Sequence, residues 1–417
     1  MIAVYFLLFI ISFVVTYSKF KTLLRINFIY TVLWSMGGFV VSINYCGLYD
    51  ISVKTHIYII LSIIIINIVC FFCEKENEYN FTPKWRLKKI NFQIIVLLHV
   101  LSYAFMIPIL LRAFQIILSE GWASLRAYAY TESQLLSSGQ LVVYSWIINP
   151  LFSMTFLIAA ILFMSNSKYK RIIFRIACID LIVITLAFGG RNGIVKFVLF
   201  IIISFFMKNS FEGRRSKIKL KYILIGFGVG LLLVYLTSLR SLTNLSFIQN
   251  VVVYLFGSIV YFDLITQPGF AIFNSVKLYG NATFGVFTSI PMYFLYRMTG
   301  LNLTPEYLID LTSNDSLYIS NSYRYNALTT WLYPFWKDAG FIGIIVGVLF
   351  VTILFIFLKK RVIKKQYMST YALTIYIVYV VFTSTMTYNF MTIQHSVTLI
   401  MLIFFTRNAK IETQIVK

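Results

Sequence analysis

Apolar residues run along the 417-residue chain in long blocks, separated by short stretches rich in Lys and Arg. A helix needs roughly 20 consecutive apolar residues to cross the hydrocarbon of a bilayer. The pattern predicts helices near 1–17, 26–48, 56–73, 90–111, 140–164, 172–188, 193–207, 222–239, 339–358, 369–388 and 391–406. Two further apolar stretches, 251–265 and 284–298, have no basic block between them. They read as a membrane-dipping hairpin or as amphipathic surface helices; two real crossings instead would leave the orientation at both ends unchanged. The expected class is therefore all-α, a polytopic membrane protein of about eleven transmembrane helices within a range of about 10–14.

Composition strengthens this reading. Hydrophobic residues make up 59% of the chain and charged residues 12%, with a mean hydropathy of +0.83, whereas soluble domains carry roughly 25% charged residues. The net charge of +22 invites a nucleic-acid partner, but the placement of the charge excludes one. Basic blocks at 19–25, 75–89, 168–175, 208–221, 359–365 and 407–417 hold 26 of the 36 Lys and Arg residues. With the N-terminus outside, all six lie on the cytoplasmic side, as the positive-inside rule requires. Met1–Tyr17 has no basic residue before it and no small-residue cleavage site, so it reads as a retained helix. Cys46, Cys70, Cys73 and Cys178 lie in or at the ends of apolar runs and read as free thiols; the Cys70–Cys73 pair lacks the second pair that zinc needs. The organisation expected is 1–239 as N-terminal membrane helices, 240–338 as an external loop subdomain, and 339–417 as C-terminal membrane helices with a cytoplasmic tail.

This topology leaves ten basic residues outside the cytoplasmic blocks: Lys54, Arg112, Arg126, Arg191, Lys196, Arg240, Lys277, Arg297, Arg324 and Lys337. External loops normally lose such residues, and one reason to keep them is an anionic ligand, because the planar fork of arginine matches phosphate oxygens in pairs. Arg191 is the foremost candidate. It follows Gly189-Gly190 at a helix–turn–helix apex, and the helix beginning at Asn192 adds unpaired N–H groups and a positive dipole end. Arg240 ends the preceding long helix at its outer face. Arg324 stands in the polar run Asn321 to Asn326, between Tyr323 and Tyr325, whose rings either stack on sugars or mark the interfacial aromatic belt. Lys196 and Asp180 lie about one turn apart in depth on neighbouring helices, as a structural ion pair bracing the turn or with Lys196 free to contact substrate. Candidates for a general base are the external acids Asp263, Glu306, Asp310, Asp315 and Asp338, and His395 near the outer end of the last helix. His56 near an outer edge and His99 inside a helix read as packed side chains. No cluster has metal-ligand spacing and no GxxxxGKS loop occurs, so neither metal nor nucleotide is expected as a cofactor.

The segment Asn326-Ala327-Leu328-Thr329-Thr330 through Tyr333 and Trp336-Lys337-Asp338-Ala339-Gly340-Phe341-Ile342-Gly343 resembles the "N-x-x-T … Y-x-D-x-G-x-x-G" pattern of the O-antigen and capsule repeat-unit polymerases of the Wzy type. Gly189-Gly190-Arg191-Asn192-Gly193 is similar to their "G-x-R" helix junction, and fifteen residues separate Arg324 from Gly340, an arginine–glycine spacing like that of some members. The resemblance covers roughly residues 170–405. It implies a GT-C-like, metal-independent glycosyltransferase at the outer face of a bacterial inner membrane. Donor and acceptor would both be oligosaccharides on undecaprenyl diphosphate, with external arginines holding the diphosphate; a repeat-unit flippase and a chain-length regulator would be partners. On this reading Arg191, Arg240, Arg324, His395 and Asp338 are catalytic candidates, and Lys196, Asn192, Tyr323, Tyr325, Asn326 and Arg126 bind substrate. The alternatives are an O-antigen ligase of the same fold and a polysaccharide flippase or other transporter. Transporters commonly show internal repeats and polar groups along a mid-membrane path; this sequence has no evident repeat, and its stranded arginines sit at the outer edge.

Overall fold

A computed structural model of the protein describes residues 1–20, 25–74, 85, 87–130, 135–165, 167–212, 246–267, 277–313, 317–325 and 329–407. The helix expected at 222–239, the residues Arg240, Asp315 and Asn326, and the side chains of Arg126 and Asp310 lie outside the described set. The chain is mostly helical: α1 Ile2–Phe20, α2 Ile26–Ser42, α3 Val53–Cys73, α4 Lys89–Glu120, α5 Trp122–Tyr130, α6 Ser138–Val143, α7 Asn149–Phe163, α8 Lys170–Phe188, α9 Asn192–Glu212, α10 Phe247–Ile265, α11 Gly285–Thr299, α12 Pro305–Ser313, α13 Leu332–Lys365, α14 Met368–Phe382 and α15 Ile393–Thr406. A two-residue antiparallel ribbon pairs β1 Leu317–Tyr318 with β2 Arg324–Tyr325. Among the described residues seven helices are long and apolar enough to cross a membrane: α1, α3, α4, α6 continuing into α7, α9, α10 and α13. The chain is thus a multi-pass membrane protein.

Several elements depart from the sequence pattern. The stretch 251–265 is part of the 19-residue α10, of which Ile248–Ile265 is long and apolar enough to span. α4 runs to Glu120 rather than stopping near 111. Polarity begins at Arg112, but neither Gly nor Pro occurs between it and Gly121, whose φ of +91° ends the helix with its N–H on the Ile117 carbonyl. A helix of 32 residues is about 48 Å long, so the end of α4 projects beyond a hydrocarbon core of roughly 30 Å.

The described residues divide into two units. The first comprises Met1–Glu78, Ile248–Lys360 and Ile377–Ser396; the second comprises Tyr79–Phe247, Arg361–Tyr376 and Val397–Lys417. In the first unit, α2 carries a glycine notch. A Cβ at Gly38 would fall 2.2 Å from the Tyr5 ring of α1, and one at Gly37 would fall 2.6 Å from Ile259 of α10. Small residues of this kind let membrane helices approach closely where no hydrophobic force drives them together. α3 fixes the two ends of the unit. Ser52 caps its N-terminus and accepts from the Thr55 N–H, while Glu74 follows its C-terminus and meets Arg25 and Lys359. A 21-residue helix separates these ends by about 30 Å. At the Ser52 end lie the Asp263 carboxylate, which accepts the Ser52 N–H at 3.1 Å, and the Leu48–Ser320 bridge.

α13 is two helices joined at a break. Ala339 (φ −155°, ψ 31°) and Gly340 (φ +62°, ψ −133°) leave helical geometry, and glycine supplies the positive φ. The leading turns fold back on the long helix that follows, so that the Phe335 ring lies over Gly347 and its carbonyl oxygen over Gly343. A Cβ at Gly343 would fall 1.9 Å from that backbone oxygen, which has no rotamer by which to retreat. Gly343→Ala is therefore expected to destabilise the protein by about 1–3 kcal/mol, read as a lowered unfolding midpoint in detergent. Gly139→Ala, where a Cβ meets nothing within 4 Å, is the control; equal midpoints for the two would dismiss this packing.

In the second unit α7 is central. Thirteen consecutive residues, Pro150 to Leu162, are buried, as expected of a helix that is apolar on every face. α8 and α9 pack on it, with Phe156 and Phe174 both against Phe197.

Candidate functional site

The Arg191 junction is built from the ends of two helices. α8 stops at Phe188 because Gly189 adopts a left-handed conformation (φ +58°) and returns its N–H to the Thr185 carbonyl at 2.9 Å, a common helix-ending device. Arg191 is half-buried and stands just ahead of α9; its carbonyl accepts the Val195 N–H at 3.1 Å. The first-turn N–H groups of α9 thus have no carbonyl within their own helix to meet, and the dipole adds positive potential there. The indole of Trp122, at the start of α5, faces the turn: a Cβ at Gly189 would lie 3.4 Å from its ring nitrogen. That N–H is buried and has no hydrogen-bond acceptor among the described residues, a costly state for a donor. Arg191, the first N–H groups of α9 and the Trp122 indole N–H thus belong to one helix junction, a set of donor groups with which an oxyanion is compatible. Sequence reading missed Trp122. Its only signal was an aromatic residue following the helix-ending Gly121 at a polar edge.

Asn192 is exposed at the start of α9. Lys196, one turn further on, donates to the Ser153 hydroxyl of α7 at 3.1 Å. The expected Lys196–Asp180 pairing gives way to a different one. Asp180 is fully buried; it accepts from the Tyr103 hydroxyl at 2.7 Å and meets His99 Nε2 at 3.2 Å. The His99 ring also contacts the Ile95 carbonyl through Nδ1 and Thr155 Oγ1 through Nε2. Matching depth on two helices does not fix which way each side chain faces, and α4 supplies the partners of Asp180. His99, read as a packed side chain, ties α4, α7 and α8 together.

Other stranded cations have local employment. Arg112 donates to the Leu135 carbonyl at 3.1 Å, tying the loop to α4. Arg297 stands in the last turn of α11, where the helix dipole favours a cation. Lys54 lies 5.8 Å from the ring centroids of both Tyr58 and Trp336.

The remaining described candidates belong to the first unit. Arg324 is exposed on β2, with its guanidinium 5.0 Å above the Tyr318 ring. Tyr323 is half-buried and its N–H donates to Ser320 Oγ at 2.9 Å. Tyr325 is buried against Tyr261 and above Gly257, and its hydroxyl donates to the Tyr254 carbonyl at 3.3 Å. Burial pushes that phenol well above its ordinary value, keeping it a neutral donor. The sugar-stacking role expected of Tyr325 is corrected accordingly: its ring is part of the core. Asp338 is likewise committed. Its two carboxylate oxygens accept the backbone N–H groups of Ala282, at 3.1 Å, and Thr283, at 2.6 Å. Nearby, the Lys337 carbonyl accepts the Leu278 N–H, and the Tyr388 hydroxyl donates to the Thr283 carbonyl. Asp338 therefore shapes the 278–284 turn leading into α11, a positioning role rather than that of a base open to substrate. His395 is half-buried in the first turn of α15, with Nδ1 hydrogen-bonded to Thr392 Oγ1. Asp263 accepts from Ser52 and from Gln267 Nε2 at 3.1 Å and so joins α10 to α3. Among the described residues no three His, Cys, Asp or Glu side chains gather to hold a metal ion. No family model, curated protein or solved structure matches the chain.

Proposed function

We propose that this protein is a GT-C-like polymerase of undecaprenyl-diphosphate-linked oligosaccharide repeat units, as in O-antigen or capsular polysaccharide synthesis. It acts at the outer face of a bacterial inner membrane. The observation that carries the reading is the donor-rich junction at Arg191, Trp122 and the start of α9. It suits the diphosphate of a lipid-linked donor, whose oxygens gain negative charge as the glycosidic bond breaks. The acceptor hydroxyl oxygen forms the new bond to the anomeric carbon, the bonding pair leaves with the lipid diphosphate, and the hydroxyl proton passes to a base. Donors already aimed at the growing charge stabilise it without reorganising. His395 is the candidate proton acceptor in this scheme. Arg240 and Arg324 are assigned to the diphosphate or the sugar by their charge and their external position. Asn192, Lys196 and Tyr323 are assigned to substrate, and Arg126 and Asn326 keep that assignment from the sequence.

The ends of α3 support the orientation. Arg25 and Lys359, from two of the basic blocks, meet at the Glu74 end, while Lys54 and Trp336 meet near the opposite end. A flippase that delivers repeat units and a regulator that sets chain length are the expected partners. The test is the glycan pattern of a strain lacking the protein. Single repeats capped onto their final carrier are the expected result. Long unattached chains would replace the reading with a ligase, and repeats trapped inside the cell with a flippase.

A further inference from the structure

The outer wall of the first unit contains a groove between α1 and α3 with a volume of about 260 Å³, bordered by Leu8, Ile11, Val15, Ile64, Ile68 and Phe72. Two polar residues, Ser12 and Asn67, also reach it, yet their groups are spent internally. The Ser12 hydroxyl donates to Asn67 Oδ1 at 2.8 Å, and Asn67 Nδ2 donates to Thr31 Oγ1 at 2.8 Å and to the Ile63 carbonyl at 2.9 Å. These bonds hold α1, α2 and α3 together and leave the groove wall as hydrocarbon. A sugar or an ordered water needs polar partners to settle there; an alkyl chain does not. Both bordering helices are long and apolar enough to span a membrane, and α1 buries only 17% of its spanning window within the protein, so the groove opens toward lipid.

Charge marks one end of it. Phe71 and Phe72 lie at the end of α3 that Glu74 follows, and there the Lys19 ammonium donates to the Phe71 carbonyl. The ammonium also stands 4.5 Å from the Phe71 ring centroid and 5.2 Å from that of Phe20. An ammonium has three donors, and a single carbonyl leaves others for an outside acceptor. Lys19 begins the 19–25 basic block, of which Arg25 is turned inward to Glu74. An apolar groove with a cation at its mouth has the charge pattern of an anionic lipid.

From this we infer that the α1–α3 groove is a lipid site: it seats one acyl chain of an anionic glycerophospholipid, whose phosphate meets Lys19. The site is independent of the Arg191 junction and stands or falls apart from the polymerase reading.

The full-length protein in nanodiscs, supplied with phosphatidylglycerol carrying a photoactivatable diazirine in its acyl chain, tests it. Labelling is expected to concentrate on α1 between Leu8 and Val15 and on α3 between Ile63 and Phe72. It should exceed labelling by the phosphatidylcholine analogue about fivefold, the preference one lysine near the surface provides. Ile64→Trp and Leu8→Trp fill the groove from opposite walls and should each remove the label. Lys19→Ala should keep the label and lose the headgroup preference. Label spread evenly over the lipid-facing helices of the wild-type protein would overturn the site. So would label unchanged by both tryptophan variants, or label displaced by a polyprenyl phosphate in preference to phosphatidylglycerol. The wild-type distribution decides the matter even if one tryptophan variant fails to fold.

Discussion

Arg191→Ala is expected to abolish long polymer while single lipid-linked repeats still reach the outer face. Arg191 stands directly ahead of α9, two residues after Gly189, whose turn the Trp122 indole faces. In the proposed reaction its role is to meet charge that appears on the leaving diphosphate, so its loss should act mainly on kcat. Removing one donor of this kind typically costs about 10²–10³ in rate. Arg191→Lys should restore little, because a compact ammonium cannot offer two parallel N–H groups to phosphate oxygens. Trp122→Phe removes a single neutral donor and should slow elongation less than loss of the arginine. It should also be well tolerated structurally, since the indole N–H has no acceptor among the described residues. Chain length on glycan gels and turnover in proteoliposomes supplied with lipid-linked repeats give the two readouts. Elution of each variant at the wild-type position in size exclusion separates a chemical defect from misfolding. Polymer of normal length from Arg191→Ala would remove the basis of the proposal.

The bilayer made much of the fold legible. Long apolar runs become helices because backbone polar groups in hydrocarbon must be satisfied within their own segment, and this carried through for α1, α3 and α9. α8, α14 and α15 are helical over most of their expected stretches but are not among the helices long and apolar enough to span, and α14 stops at Phe382 rather than 388. What hydropathy left out were features set by backbone geometry and by contacts distant in sequence. α4 passes its last apolar stretch because polarity alone does not end a helix; the positive φ of Gly121 does. α13 starts at Leu332, ahead of the expected 339, and breaks at Ala339–Gly340. The sequence holds the reason for the fold-back in Gly343 and Gly347, but it becomes visible only once Phe335 is seen above them. The candidate site divides in the same way. Arg191 was legible because a charge next to paired glycines at a helix junction is conspicuous in an apolar chain. Trp122 was not, being one aromatic residue among many. Asp338 was legible as an important residue but not in its role, since the N–H groups of Ala282 and Thr283 come from more than fifty positions away.

Glu74→Ala is expected to be the most destabilising substitution in the first unit. Glu74 accepts from Arg25 Nη1 at 2.8 Å and from Lys359, and all three side chains are nearly inaccessible, at 5%, 2% and 6% exposure. Cations of two basic blocks thus meet at one acid: Arg25 ends the 19–25 block and Lys359 opens the 359–365 block, while Glu74 directly precedes the 75–89 block. Removing the acid takes from two buried cations the carboxylate they share, and breaking a buried pair in this manner costs about 3–5 kcal/mol. Lys359→Met should cost less, because it leaves the Arg25–Glu74 pair in place. Replacing Arg25, Glu74 and Lys359 together with Met, Leu and Met should recover much of the loss, since apolar side chains of similar volume avoid the desolvation that the ions suffer. The same cluster sets an acid limit. Burial raises the Glu74 carboxyl, but Lys359 and Arg25 together outweigh it and hold the group below its ordinary value of 4.5. As pH falls past 4.5 the unfolded chain takes up this proton before the folded one does. The contribution of Glu74 is therefore complete above that value and is lost as pH drops through the lower, folded-state one. Glu74→Gln should start from a lower unfolding midpoint at neutral pH and lack this component of the acid transition. Unfolding midpoints in detergent for wild type, Glu74→Gln and the triple variant across that range measure both effects. Parallel acid profiles for wild type and Glu74→Gln would show that the carboxylate does not hold these three segments together.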